Sequence, residues 1–233
     1  MFEPKARVIL LAGPGSFALS FLVMGLFPWA KYHDRLETSV TELAEEGMTH
    51  EFIEWAERFP ERFNKHFPDG ATTTSFAEAL QLGRDVYVAE ACWHCHTQQV
   101  RPVSSDRRRW GPASRTHEYH NALQRPVLFG TRRIGPDLIR EAARRTNDWH
   151  LAHFYKPTSV VRSSVMPEYK WFFDEDGYPN KKGMAIITYM QWLGSRLPEY
   201  PYFRGVGAIG PAQDGDTPPA ADDVTRLGQA SPA

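Results

Sequence analysis

Only two cysteines occur in the sequence, Cys92 and Cys95, so a scaffold stapled by several disulfides is excluded by count. An excess of charge is lacking as well: 27 Lys and Arg against 28 Asp and Glu leave a formal net charge of -1. Such a chain has no general pull toward nucleic acid or anionic surfaces. No Ser-His-Asp order, carboxylate pair, phosphate-binding glycine loop or internal repeat stands out, so no catalytic site of its own is readable. Large apolar side chains are almost missing from residues 205–233, which are mostly Gly, Ala, Pro and Asp. That stretch cannot repay the entropy of ordering, and a disordered tail is expected there.

Charged side chains are also absent between Val8 and Ala30, a run long enough to cross a hydrocarbon core of ~30 Å at ~1.5 Å per residue. It exceeds the ~7–15 apolar residues of a cleaved signal, and no small-x-small cleavage site follows before Lys31. One uncleaved transmembrane anchor over residues 8–30 is expected. Gly13-Pro14-Gly15 interrupts the run, which membrane helices tolerate when neighbours re-satisfy the freed backbone groups. Lys5 and Arg7 favour a cytoplasmic N-terminus, with Lys31 and Arg35 weakening the bias.

Beyond the anchor, Asp34 to Glu61 holds nine acidic residues against two arginines. Apolar residues recur there at roughly helical spacing, so residues 31–74 read as an acidic helical connector without chemistry. Ser75 with Glu78 suggests a capping box that opens a helix running toward the cysteines. Gly83 leaves a bare patch on it where another helix could approach. A second amphipathic helix is expected from Gly183 to about Arg196, ended by Pro198, and a short one from about Pro136 to Arg145. The remainder of the 75–204 domain reads as loops.

Cys92-Trp93-His94-Cys95-His96 is the strongest signal in the chain. Two thiols three positions apart add to both vinyl groups of a haem while the adjacent imidazole reaches the iron, so one covalent haem c is expected. A thiol redox pair shares the C-x-x-C spacing but belongs near a β-α-β pattern, absent here. A structural zinc site needs about four Cys or His ligands, and there is no second cysteine pair.

The sixth iron ligand must come from elsewhere. Met166, in Ser163-Ser164-Val165-Met166-Pro167, is the choice, since the following proline stiffens the loop that presents its thioether. Met184 and Met190 fall at core spacing on a helix, Met24 lies in the anchor and Met48 in the connector. His117, His120, His150 and His153 stay open as alternatives. Eleven arginines against four acids between Arg101 and Arg145 make a locally basic stretch. Arg132 or Arg133 is a candidate partner for haem propionates, and the rest a surface for an acidic partner. In Gly135-Pro136-Asp137-Leu138 the carbonyl of Pro136 is a candidate acceptor for His96.

Gly83 and Tyr87, the run Cys92 to Pro102, Arg133-Ile134-Gly135-Pro136-Asp137-Leu138, Asp148-Trp149-His150, Val160-Val161 and Ser164 to Pro167 together resemble the monohaem subunit II of cbb(3)-type cytochrome c oxidase. With the anchor, the likeness covers about residues 7–196. It implies an all-α class I cytochrome c domain on one membrane helix, with Cys92, Cys95, His96 and Met166 holding the haem. It also implies electron transfer from a dihaem cytochrome c subunit or a soluble cytochrome c donor to a haem-copper catalytic subunit. The setting it implies is the inner membrane of a bacterium, haem domain on the periplasmic side. The haem c subunit of a nitric oxide reductase shares the layout without the Thr97-to-Pro102 run. A haem-based redox or gas sensor would need an open sixth position.

Overall fold

A computed structural model of the chain describes residues 4–33, 38–98, 114, 116–119, 121–130 and 133–196. The expected tail, Arg132, His120 and Pro198 lie outside the described residues. The chain divides into two units at Glu37 and Thr38.

The first unit is a single helix, α1 (Pro4–Tyr32), the one described helix long and apolar enough to cross a membrane. It continues through Pro14 and contains a π-helical turn over Leu22–Leu26. Its apolar side chains, from Val8 to Trp29, are exposed.

The second unit begins with three short helices, α2 (Val40–Glu46), α3 (His50–Arg58) and α4 (Pro60–His66). Ser39 caps α2 reciprocally with Glu42, Ser39 Oγ accepting from the Glu42 amide at 3.2 Å and Glu42 Oε2 from the Ser39 amide at 2.7 Å. The stretch read as a connector is thus part of a core. Phe52 packs on Phe63, Phe67 and Phe76 with ring centroids 5.2, 5.7 and 5.1 Å apart, and all four are fully buried. Each tilted or edge-on pair adds roughly 0.5–1.5 kcal/mol beyond its buried area. The apolar spacing read from the sequence is thus the inward face of core helices, and the acidic residues lie around it.

Helix α5 (Thr73–Ala89) starts two residues before the expected cap. Thr72 is the N-cap, extended at φ -102° and ψ 163°, and its hydroxyl accepts from the Ser75 amide, while Ser75 itself is buried. The cysteines follow on a one-turn helix, α6 (Cys92–Cys95). Then come α7 (Asn147–Tyr155), capped by Thr146, and α8 (Lys181–Trp192), capped by Asn180. Helix α8 ends before Arg196 because Gly194 turns left-handed at φ 88°. Helices α5 and α8 cross at Gly83, where a Cβ would stand 2.2 Å from the Ala185 carbonyl oxygen. Only glycine permits that approach.

No helix forms between Pro136 and Arg145; the segment is a series of turns. Asp137 Oδ1 accepts from the Ile139 amide, the Ala142 amide donates to the Leu193 carbonyl, and Ala143 is left-handed at φ 57°. Those partners replace the i to i−4 ladder. Among the described residues no strand forms, only the isolated bridges Thr38 with Asn121 and Phe173 with Pro179. The expected all-α class is the observed one.

Candidate functional site

The site is built where α5 runs out. Ala91 takes the left-handed conformation at φ 55°, which breaks the helix and starts α6 in a new direction. Cys92 and Cys95 sit at the two ends of that single turn, both as free thiols, and the His96 amide closes the turn on the Cys92 carbonyl at 2.9 Å. His94 is exposed and stacks on Trp93.

Three contacts hold His96. Tyr87, from the last turn of α5, donates its hydroxyl to the His96 carbonyl at 2.6 Å. His96 Nδ1 lies 2.9 Å from the Pro136 carbonyl oxygen. With that nitrogen donating, the tautomer is set and Nε2 carries the lone pair. Gly135 closes the third side: a Cβ on it would fall 2.2 Å from Cε1 and 2.6 Å from Nδ1 of the ring. The amides of Ile134 and Gly135 both donate to the Cys95 carbonyl, at 3.1 and 2.9 Å. The loop is therefore stitched to the motif it covers. Burial pushes the imidazole pKa down, Pro136 pulls it up, and the Arg133 charge lowers it further.

Arg133 is buried, with Nη2 donating to the Thr97 carbonyl at 2.7 Å and lying 3.5 Å from Asp137 Oδ2. Asp137 also accepts from Ser114 Oγ at 2.8 Å. Burial raises its carboxyl to about 6, against the pull of Arg133. Glycine at 130 serves close packing too: a Cβ there would meet the Trp93 and His94 carbonyl oxygens at 3.0 Å.

Met166 is half-buried against the core, and its amide donates to Ser164 Oγ at 3.2 Å. The segment after it is tied to α7 by the Tyr169 amide, which donates to the Phe154 carbonyl at 2.8 Å. Met184 and Met190 are buried in α8, Met48 packs at the core's edge, and Met24 lies on α1. Of the histidines, His150 is buried on α7 and His153 half-buried one turn on. Burial first, then neighbouring charge, pushes them down to about 3 and about 4. The side chain of His117 is outside the described residues.

The donor set discriminates between chemistries. Burial, with Glu90 adding to it, pushes the Cys92 thiol up to about 12, whereas a redox-active cysteine needs a lowered value. No group of three or more His, Cys, Asp or Glu forms a metal cage among the described residues. Two thiols flanking one turn, an imidazole with one nitrogen committed to a carbonyl, and a glycine leaving no more room than the ring needs do fit a covalent haem. Sequence reasoning passed over the part Tyr87 and Gly135 play in holding His96. The signal available was the glycine before Pro136 and a tyrosine one helical turn ahead of the motif.

A family model described as "Cytochrome C oxidase, mono-heme subunit/FixO" matches residues 57–183. A comparison with curated proteins finds no match.

Proposed function

Because the chain belongs to the FixO family, the mono-heme subunits of cytochrome c oxidase, we propose that it relays single electrons through one covalently held haem c to the oxidase's catalytic subunit. The family bears out the likeness to subunit II of cbb(3)-type oxidases drawn from the sequence. The observation that carries the relay reading is the committed His96: its Nδ1 is spent on Pro136 and its ring is walled by Gly135, which leaves Nε2 as a pre-oriented ligand.

In this reading the Cys92 and Cys95 thiols form the two thioethers, His96 supplies the nitrogen ligand, and Met166 supplies the sulfur. Bound haem supplies the one-electron couple. A neutral, soft thioether favours the ferrous state and raises the potential, as suits a relay near the oxidising end of a respiratory chain. Tyr87 and the Pro136 loop keep the imidazole from turning, so little reorganisation accompanies each electron. Arg133 is the candidate guanidinium for a propionate; its contacts with Thr97 and Asp137 also give it the task of holding the loop. Helix α1 is compatible with a single-pass anchor. We place it in a bacterial inner membrane with the haem domain outside, where a dihaem subunit or soluble cytochrome c would act as donor.

The test is a reduced pyridine haemochrome spectrum of the detergent-purified chain, made with a c-type maturation system and extracted with acid-acetone. One retained haem c per chain is expected. Extraction of all haem would refute covalent attachment, and co-purification without a copper-containing catalytic subunit would count against the oxidase partner.

A further inference from the structure

Helix α7 carries two imidazoles that no part of the relay uses. His153 Nδ1 is buried and has no hydrogen-bond partner, and the same holds for His150 Nε2. A buried polar atom left alone costs roughly 1–3 kcal/mol, so an unpartnered nitrogen next to a cofactor site points to the cofactor as its missing partner.

His153 is the better placed of the two. It lies within electrostatic reach of His96, whose charge pushes its pKa down after burial has done so; His150 feels His153 and Arg145 instead. Trp149 stacks on the His153 ring at 4.6 Å and 15°, which fixes the ring plane. Its neighbour Phe154 accepts from the Tyr169 amide and packs edge-on against Tyr169 and Phe172. Tyr169 stands three residues after Met166. The end of α7 is therefore packed against the segment that carries Met166, while His96 is held by Gly135 and Pro136.

We propose that His153 is a reserve axial ligand, whose imidazole takes the sixth iron position when the Met166 sulfur leaves it. The inference rests on the haem c reading. In the exchange the iron–sulfur bond breaks and an iron–nitrogen bond forms through the imidazole lone pair. The iron keeps its oxidation state and no proton is released. Nitrogen for sulfur lowers the reduction potential, so the exchange would turn the relay into a poorer electron acceptor.

The experiment uses the haem-loaded full chain in detergent as wild type, Met166→Ala, His153→Ala and the double variant, followed by optical and electron paramagnetic resonance spectra of the ferric form. Met166→Ala is expected to lose the far-red sulfur band yet stay low-spin with two nitrogen ligands. Adding His153→Ala should turn it high-spin, and His153→Ala alone should leave the wild-type spectrum unchanged. A high-spin Met166→Ala overturns the proposal, as does a low-spin form that survives removal of His153. A wild type that carries haem but turns high-spin on His153→Ala alone makes His153 the resident ligand and overturns the reserve role. Absence of haem in the wild type overturns the haem reading itself, a result distinct from all of these. Should Met166→Ala retain no haem, Met166→Gln is scored the same way. Loss of a nitrogen-ligand signature on adding His153→Ala supports the proposal, and identical spectra with and without His153 overturn it.

Discussion

Replacing Gly135 with alanine adds one methyl carbon at the tightest contact around His96. The new Cβ would lie 2.2 Å from the ring Cε1, 2.6 Å from Nδ1 and 2.8 Å from Nε2. The first distance falls about 1.3 Å short of ordinary carbon contact. Two relaxations are open. The ring can retreat and give up the 2.9 Å bond to Pro136, or the loop can lift and give up the Ile134 and Gly135 bonds to the Cys95 carbonyl. Each lost bond costs about 1 kcal/mol, and overpacking adds about 1–3 kcal/mol. A destabilisation of roughly 2–4 kcal/mol follows, which lowers the Tm of a domain this size by about 2–4 °C per kcal/mol. Thermal unfolding of the haem-loaded chain reads this, and redox titration reads the ring, because loss of the Pro136 bond makes the imidazole a weaker donor and shifts the potential upward. An alanine variant with unchanged Tm and unchanged potential would refute the claim that Gly135 walls the ring.

Tyr87→Phe removes the 2.6 Å bond to the His96 carbonyl and should cost about 1–3 kcal/mol in urea unfolding without loss of haem; a cost near zero would show that the carbonyl finds another donor. Gly83→Ala would drive a Cβ to 2.2 Å from the Ala185 carbonyl oxygen and 2.5 Å from Tyr189 Cβ. Both are parts of helix α8 that cannot swing aside, so a loss of about 2 kcal/mol or more is expected from thermal melts, and a neutral variant would contradict the crossing. Asp137 has a folded-state pKa raised from 3.8 to about 6, chiefly by burial. The folded state therefore binds this proton more tightly than the unfolded chain. The contribution is fully present below 3.8 and is lost as pH rises through about 6. The difference in stability between wild type and Asp137→Asn should change by roughly 1–3 kcal/mol between about pH 4 and about pH 7. Parallel pH profiles would dismiss the raised value.

Some of this protein is local, and local features can be read without a fold. Two thiols and an imidazole within five consecutive residues raise the haem c expectation by spacing, and an uncharged run long enough to cross a membrane raises that of an anchor. The apolar stripes before the motif and at 181–192 were likewise visible as helices, with boundaries displaced by the caps Thr72 and Asn180. The stretch after the anchor was less readable: the helical spacing of Phe52 and Trp55 showed, but not that they join a core with Phe63 and with Phe76, which lies on a different helix. Between Pro136 and Arg145 the helix-like pattern lost to side-chain and long-range partners, Asp137 taking the Ile139 amide and Leu193 taking Ala142.

By itself, the sequence determined the all-α class, the long apolar N-terminal helix and the family likeness, because each rests on residue types within a few turns of chain. The Pro136 carbonyl was legible as a candidate acceptor for His96, but only the tertiary structure brought it there and added the other two contacts. Tyr87 reaches His96 across 9 positions and Pro136 across 40, and Gly135 meets its ring through space. Such contacts depend on where loops come to rest once α5 and α8 have crossed, and no local spacing encodes that.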